Sequence, residues 1–191
     1  KPNKIILNKD FDKPNVLIAG CGTGKHAILA TKYKDANITS IDLSLKSLAY
    51  AKRKTQDLGL KNIEYLHADI LQLKNLNKKF NIIESSGTLH HMKEPIKGLK
   101  VLLDVLKNGG YLKLGLYSEI AREHVVKVRE LIKKKKFNNT VTDIKTCRQL
   151  LVNEKEDPLL QKAAIGIDFY STSSVRDLLF HVQEHRFKLP Q

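Results

Sequence analysis

Short apolar runs at residues 16–20, 38–42, 63–67, 80–85 and 111–117 alternate with stretches of helical period. Runs of this length, bounded by turn residues, predict buried strands. The helical stretches carry their own start and stop signals. Ser44 suits the cap of a helix over 45–58, and Gly59 ends it. Pro95 suits the first turn of another, with Ile96, Leu99, Leu102, Leu103 and Leu106 as its apolar face and a stop at Asn108-Gly109-Gly110. Strand–helix alternation with short connections implies right-handed crossovers. Residues 1–118 therefore predict an α/β fold with a doubly wound, mostly parallel sheet.

After Tyr117 the rhythm changes. Helices are expected over 120–136 and 142–152, and Ser174 with Asp177 reads as a capping box opening a third. No strand is expected there, so 119–191 is taken as a helical lid or elaboration of the same domain. The chain starts at Lys1 and stops after Leu189-Pro190-Gln191, which suggests a piece cut near Pro190.

Composition narrows the class. The 191 residues are 41% hydrophobic and 28% charged, which fits a globular protein rather than a disordered one. No apolar run approaches the roughly 18 residues of a membrane span. Two cysteines, Cys21 and Cys147, make no disulfide framework, and without a signal-like segment the expected location is the cytoplasm. The net charge of +14 invites a nucleic-acid partner. However, only six residues are arginine, and the lysines spread along the whole chain. The densest block, Lys133 to Lys136, closes a predicted helix, where cations complement the dipole. A solvated lysine-rich surface is the favoured reading, and nucleic acid is disfavoured.

The sharpest local signal is a strand running into Gly20-Cys21-Gly22-Thr23-Gly24 and then a helix. Glycines there permit a tight turn and let a ligand approach the backbone. Asp42 ends the second strand, where a carboxylate can accept both hydroxyls of a ribose, and Asp69 ends the third. Neither common phosphate-binding pattern is met. The loop is one residue short for a P-loop, with His26 in the hydroxyl position, and Lys25 stands where the dinucleotide fingerprint needs its third glycine. A ligand with a ribose but no pyrophosphate follows.

Gly20-Cys21-Gly22-Thr23-Gly24, Ile41-Asp42-Leu43-Ser44 and Ala68-Asp69-Ile70 resemble successive motifs of the class I S-adenosylmethionine-dependent methyltransferases. Glu84 to Met92 and Leu106 to Leu112 continue the match, which covers about residues 14–118. Leu114 to Ser118 and Asp168 to Phe187 are also similar to methyltransferase domains found in tetratricopeptide-repeat proteins. The resemblance implies a Rossmann-like core with S-adenosyl-L-methionine as cofactor. It places the loop Gly20, Cys21, Gly22, Thr23 and Gly24 behind the cofactor, Asp42 on its ribose and Leu43 beside its adenine. Asp69 and Ile70 would meet the amino edge, and Ser85 the methionine end. One departure stands out: many members carry an acid two residues before the first glycine, and here that residue is Ile18. The family normally adds two strands after the fifth. None is expected here, so the sheet should lack its last strands and leave an edge through which copies could pair.

A methyl group on sulfonium is already an electrophile, so positioning supplies much of the catalysis. His90 and His91 follow the fourth strand and are candidate bases, or else they cap and pack the loop. Tyr117, Arg122, Tyr170 and His181 are candidate substrate contacts, against the plainer reading of a partly exposed amphipathic helix. His181 and His185 share i, i+4 spacing, but Val182 stands where a zinc-protease helix has Glu, and no metal is assigned. Glu84-Ser85-Ser86-Gly87 replaces the Asn/Asp-Pro-Pro-aromatic sequence of nucleobase amino-methyltransferases, which favours a small-molecule or protein acceptor. Three alternatives stay open: a cofactor-binding module of a larger repeat protein without turnover, other RNA methylation, and a nicotinamide oxidoreductase disfavoured by Lys25.

Overall fold

In the computed structural model, which describes residues 12–181 and 183–188, five strands form an all-parallel sheet. They are β1 (Asn15–Ala19), β2 (Asn37–Asp42), β3 (Ile63–His67), β4 (Phe80–Ser86) and β5 (Leu106–Gly115), in the order β3-β2-β1-β4-β5. The chain winds outward from β1 to β3, then crosses to β4 and β5 on the other side. That reversal beside β1 is the switch point, outside whose carboxyl edge ligands of such sheets bind.

Alternation along the strands divides the core into two layers. Val16, Ile18, Ile38 and Ile82 pack with Ala27 and Ala30 of α1 (Lys25–Ala30) and Leu48 of α2 (Leu45–Asp57). Leu17, Ala19, Ile41 and Ile83 pack with Leu102 and Val105 of α3 (Pro95–Val105) and with Ile70 and Leu73 of the 3-10 turn Ile70–Leu76. Both faces of the central strand β1 are covered, so Val16 to Ala19 are all buried and read as one continuous apolar run. The outer strands β3 and β5, expected to be buried, contain no fully buried residue, because each has a neighbouring strand on one side only. Each such large side chain contributes about 1.5–3 kcal/mol. The sheet is doubly wound, as the sequence pattern requires.

Two features of α3 differ from expectation. Its buried face is Gly98, Leu102 and Val105, while Ile96 and Leu103 are 54% and 50% exposed. The latter two lie about 100–120° around the helix from Leu102, beyond the reach of the sheet. The helix also stops at Val105 rather than at the Asn108-Gly109-Gly110 signal. Leu106 already pairs with Phe80, residues 107–110 bulge out, and pairing resumes with Tyr111 on Ile82. The turn signal marks that irregularity.

The chain divides into two compact units, residues 1–116 and 117–191. The second has its own helical core. After a 3-10 turn (Ile120–Arg122) come α4 (Glu123–Lys135), α5 (Val141–Asn153), α6 (Pro158–Ile165) and α7 (Thr172–Leu179). Val125, Val128 and Ile132 meet Ile144, Cys147 and Leu151 along helical seams, closed by Leu160, Ala163, Phe169, Val175 and Leu179. The sequence pattern did not predict α6, although Asp157 caps it by accepting from Leu159 and Leu160 N–H and Pro158 opens its first turn. Ser171, not Ser174, caps α7. Its hydroxyl accepts from the Ser174 N–H, so Ser174 lies inside the helix. Beyond α7, Phe187 bridges in parallel to Ser118. Its N–H donates to the Tyr117 carbonyl (2.8 Å), and its own carbonyl accepts from Glu119 (3.0 Å). Both chain ends, on which the expected cut near Pro190 rests, lie outside the described residues, as does Val182. Among the described residues β5 is an edge of the sheet, and no helix is long and apolar enough to cross a membrane.

Candidate functional site

The loop after β1 is pinned over the end of β2, because the Gly20 and Cys21 N–H groups both donate to the Ile41 carbonyl (3.0 and 2.9 Å). Glycine is required at Gly20 on two counts: φ is +79°, and a Cβ would fall 2.1 Å from Thr88 Oγ1. Gly22 also sits at positive φ, +51°, but nothing lies within 4 Å of where its Cβ would be. The loop is thus closed against Thr88 at its start and open at its middle.

Asp42 ties this loop to α2. Its Oδ2 accepts the Gly22 N–H and its Oδ1 accepts the Ser44 N–H, both at 2.8 Å. A carboxylate offers about four acceptor positions, so each oxygen retains one. Asp69 caps the turn after β3 by accepting the Leu71 N–H on Oδ1 (2.9 Å). A ring nitrogen of His67 lies 3.0 Å from the Leu43 carbonyl and holds the exit of β2. These strand ends enclose a cavity of about 110 Å³ lined by Gly20, Ile41, Asp42, Leu43, Ala68, Asp69, Ile70, Thr88 and Met92. That volume is below the ~300–1,000 Å³ of whole-ligand sites and is of a size for one ring. A larger concavity of about 470 Å³ lies at the amino ends of the strands, beside Asn15, Asn37, Lys61 and Lys78. Its position is the wrong edge for a ligand of a doubly wound sheet.

Of the residues singled out from the sequence, Gly20, Asp42, Leu43, Asp69 and Ile70 line the cavity, with Gly22 on the Asp42 carboxylate. Thr23 is exposed and Gly24 buried. The Cys21 thiol is buried, and burial followed by the nearby Asp42 charge pushes its pKa up to about 12. Ser85 is buried and donates to the Ala19 carbonyl (3.1 Å), which ties β4 to the root of the loop. His90 has no exposed surface and His91 is half-buried. Their rings meet edge to face at 4.3 Å, and neither lines the cavity. Sequence reasoning passed over Thr88 and Met92, which flank these histidines and carry no titratable group to draw attention.

Ile18 stands in register with Glu84, and Glu84 in turn with Lys113. Glu84 is buried, accepting from the Tyr33 hydroxyl (2.7 Å) and pairing with Lys113 (3.2 Å). Burial and then this hydrogen bond raise the Tyr33 phenol well above its ordinary range. An acid absent from β1 is therefore present one strand over, on the same face.

Of the substrate candidates in the second unit, Tyr117 and Arg122 are brought together. The Arg122 guanidinium stacks on Tyr117 (3.7 Å) and grips Glu184 through Nε (3.1 Å) and Nη2 (2.7 Å). Arg129 (3.0 Å) and Arg186 (3.6 Å) approach the same carboxylate, whose side chain has no exposed surface. Arg122 is thus engaged within its own unit. Tyr170 is 72% exposed. His181 and His185 lie past the end of α7, so their spacing is not that of one helix face, and the His181 Nδ1 accepts the Gln183 N–H (3.3 Å). Among the described residues no group of three or more His, Cys, Asp or Glu is placed to hold a metal.

Sheet order and glycine loop define a Rossmann-like protein, and the loop and strand-end carboxylates make the carboxyl edge of β1 to β3 its candidate ligand site. The methyltransferase domain family matches residues 10–185, and the chain belongs to it. An uncharacterized protein of Synechococcus sp. is 30% identical over 179 residues, covering 93% of this chain and 39% of the relative. The structure of PKMT2 from Rickettsia typhi in complex with AdoHcy superposes with a TM-score of 0.74 at 22% identity, over 92% of this chain and 36% of that one. An S-adenosylmethionine-dependent methyltransferase from Clostridium acetobutylicum is 28% identical, with a TM-score of 0.50 over 62% of this chain and 46% of its own. The chain thus spans well under half the length of the Synechococcus and Rickettsia proteins.

Proposed function

We propose that this chain binds S-adenosyl-L-methionine at the carboxyl edge of β1 to β3 and directs its methyl group to a small-molecule or protein acceptor. The observation that carries the reading is the Asp42 carboxylate, held at both oxygens by backbone N–H groups yet keeping one acceptor position on each. That spacing fits a vicinal diol. Asp69 and Ile70 fit the amino edge of adenine, exposed Leu43 covers its face, and open Gly22 admits the ligand to the backbone. Family membership and the Clostridium acetobutylicum relative point to the same cofactor.

When bound, the sulfonium supplies an electrophilic methyl group. The protein's part is to fix the nucleoside and to hold the acceptor in line while keeping water out. His91 is the histidine of the pair with surface to take a proton from an acceptor, whereas His90 supports it edge-on from the interior. Tyr170, with its exposed ring, is a candidate acceptor contact. Glu84-Ser85-Ser86-Gly87 at the end of β4 favours a small-molecule or protein acceptor over a nucleobase. The cytoplasm as location, a repeat-containing longer chain and pairing through the β5 edge are part of the same reading and rest on the sequence.

Calorimetry with S-adenosylmethionine and, separately, NAD tests the cofactor. Binding of the former alone is expected, and no heat with it ends the proposal. The second reading, a module that binds cofactor without turnover, is favoured by the absence of either histidine from the cavity wall. Release of S-adenosylhomocysteine over a panel of amine, hydroxyl and peptide acceptors separates the two.

A further inference from the structure

Gly98 is buried at the fourth position of α3, in a helix interior where glycine is the least favourable residue after proline. Its backbone needs no positive φ, so conformation does not account for it. Space does. A Cβ at Gly98 would stand 2.7 Å from Met92 Sδ, 3.0 Å from Met92 Cε and 2.9 Å from Leu89 Cδ2. Leu89 is buried in the core layer against which Met92 packs, and such interiors have no slack. Met92 is the flexible neighbour, and it also lines the strand-end cavity. The cavity that Met92 lines, of about 110 Å³, is space into which a displaced thioether can move.

We propose that Gly98, through the side chain of Met92, sets the width of the nucleoside cavity and so the fit of the adenine ring. Gly98 is a positioning residue, since it lines none of the cavity itself, and Met92 is the wall it positions. The inference rests on the cofactor assignment above. It adds that one wall of the cavity that Asp69 and Ile70 also line is placed from inside a helix rather than from the binding loop.

The test is calorimetric titration of S-adenosylhomocysteine into wild type, Gly98→Ala, Met92→Ala and the double variant, with thermal unfolding of each. One methylene of misfit in an apolar pocket is worth about tenfold or more, so Gly98→Ala should bind about tenfold more weakly. Its unfolding midpoint should not fall in proportion, because alanine favours the helix. Adding Met92→Ala should restore binding to the level of Met92→Ala alone, which a purely structural role for Gly98 would not produce. Undiminished binding by Gly98→Ala, or a double variant as weak as Gly98→Ala, overturns the proposal. Should Gly98→Ala not fold, Met92→Ala decides the matter. It should shift preference about tenfold toward an N6-alkylated S-adenosylhomocysteine, and unchanged preference overturns the proposal. Wild type that gives no heat ends the cofactor reading itself, an outcome distinct from all of these.

Discussion

Asp42 accepts the Gly22 N–H at 2.8 Å across 20 residues of sequence, joining the glycine loop to the end of β2. With its other oxygen on Ser44, one side chain both shapes the loop and faces the cavity. Asp42→Asn would turn an amide NH2 toward one of two backbone donors and leave that donor unsatisfied. A loss of about 0.5–1.5 kcal/mol in stability is expected, read by urea unfolding, since water reaches the exposed Ser44 donor and partly reaches Gly22. Binding of S-adenosylmethionine should weaken at least about tenfold, and Asp42→Ala should abolish it in calorimetry. A variant at Asp42 that binds as tightly as wild type would show the ribose assignment to be wrong.

Glu184 is the hub of the second unit. Burial raises its pKa, but the Arg122 hydrogen bond and the charges of Arg129, Arg122 and Arg186 together outweigh burial and hold it below its ordinary 4.5. A depressed folded value means that the unfolded chain binds the proton first. The stabilisation is therefore complete above the ordinary carboxyl range and is lost as pH falls through the lower folded value. Glu184→Gln leaves three guanidinium groups facing one another around a neutral amide. Removing one partner of a buried pair costs about 3–5 kcal/mol, and the partial exposure of the arginines places the expectation at the lower end. Unfolding followed at neutral pH and again in the acid range should show the variant weaker at the first and the gap narrowing at the second.

Cys21 and Cys147 are buried, and desolvation pushes their thiols to about 12 and about 11 from an ordinary 9.0. Between the ordinary and the raised values the folded state keeps protons that the unfolded chain releases. Stability is thus full below about pH 9 and declines as pH climbs through that window. At about pH 8.5, iodoacetamide should label neither cysteine in the native protein and both in urea, since the thiolate is the reactive form. Native-state labelling of Cys21 at the rate of a free thiol would contradict the buried placement.

Much of the first unit was legible in the sequence because its signals are local. Strand runs and caps depend on neighbours a few residues away, and the Asp42 motif follows the glycine loop at a spacing set by one βα unit. Where local signals compete, reading falters. Ser171 and Ser174 are both good caps, and only the start of α7 shows which one serves. The Asn108-Gly109-Gly110 turn is real, yet it sits in a bulge of β5 rather than at a helix end.

Taken alone, the sequence determined the strand–helix alternation, the parallel sheet, the glycine loop and its acidic partners, because periodicity and backbone chemistry act at short range. Only the tertiary structure decided where distant side chains ended. It set Glu84 beside Ile18 on the neighbouring strand, drew Arg122 onto Glu184 across 62 residues and sank His90 into the core. It also brought Thr88 and Met92 to the cavity wall. The physical reason is that the destination of a charge or an imidazole depends on which partner can satisfy it within a packed interior, and packing is a property of the whole unit.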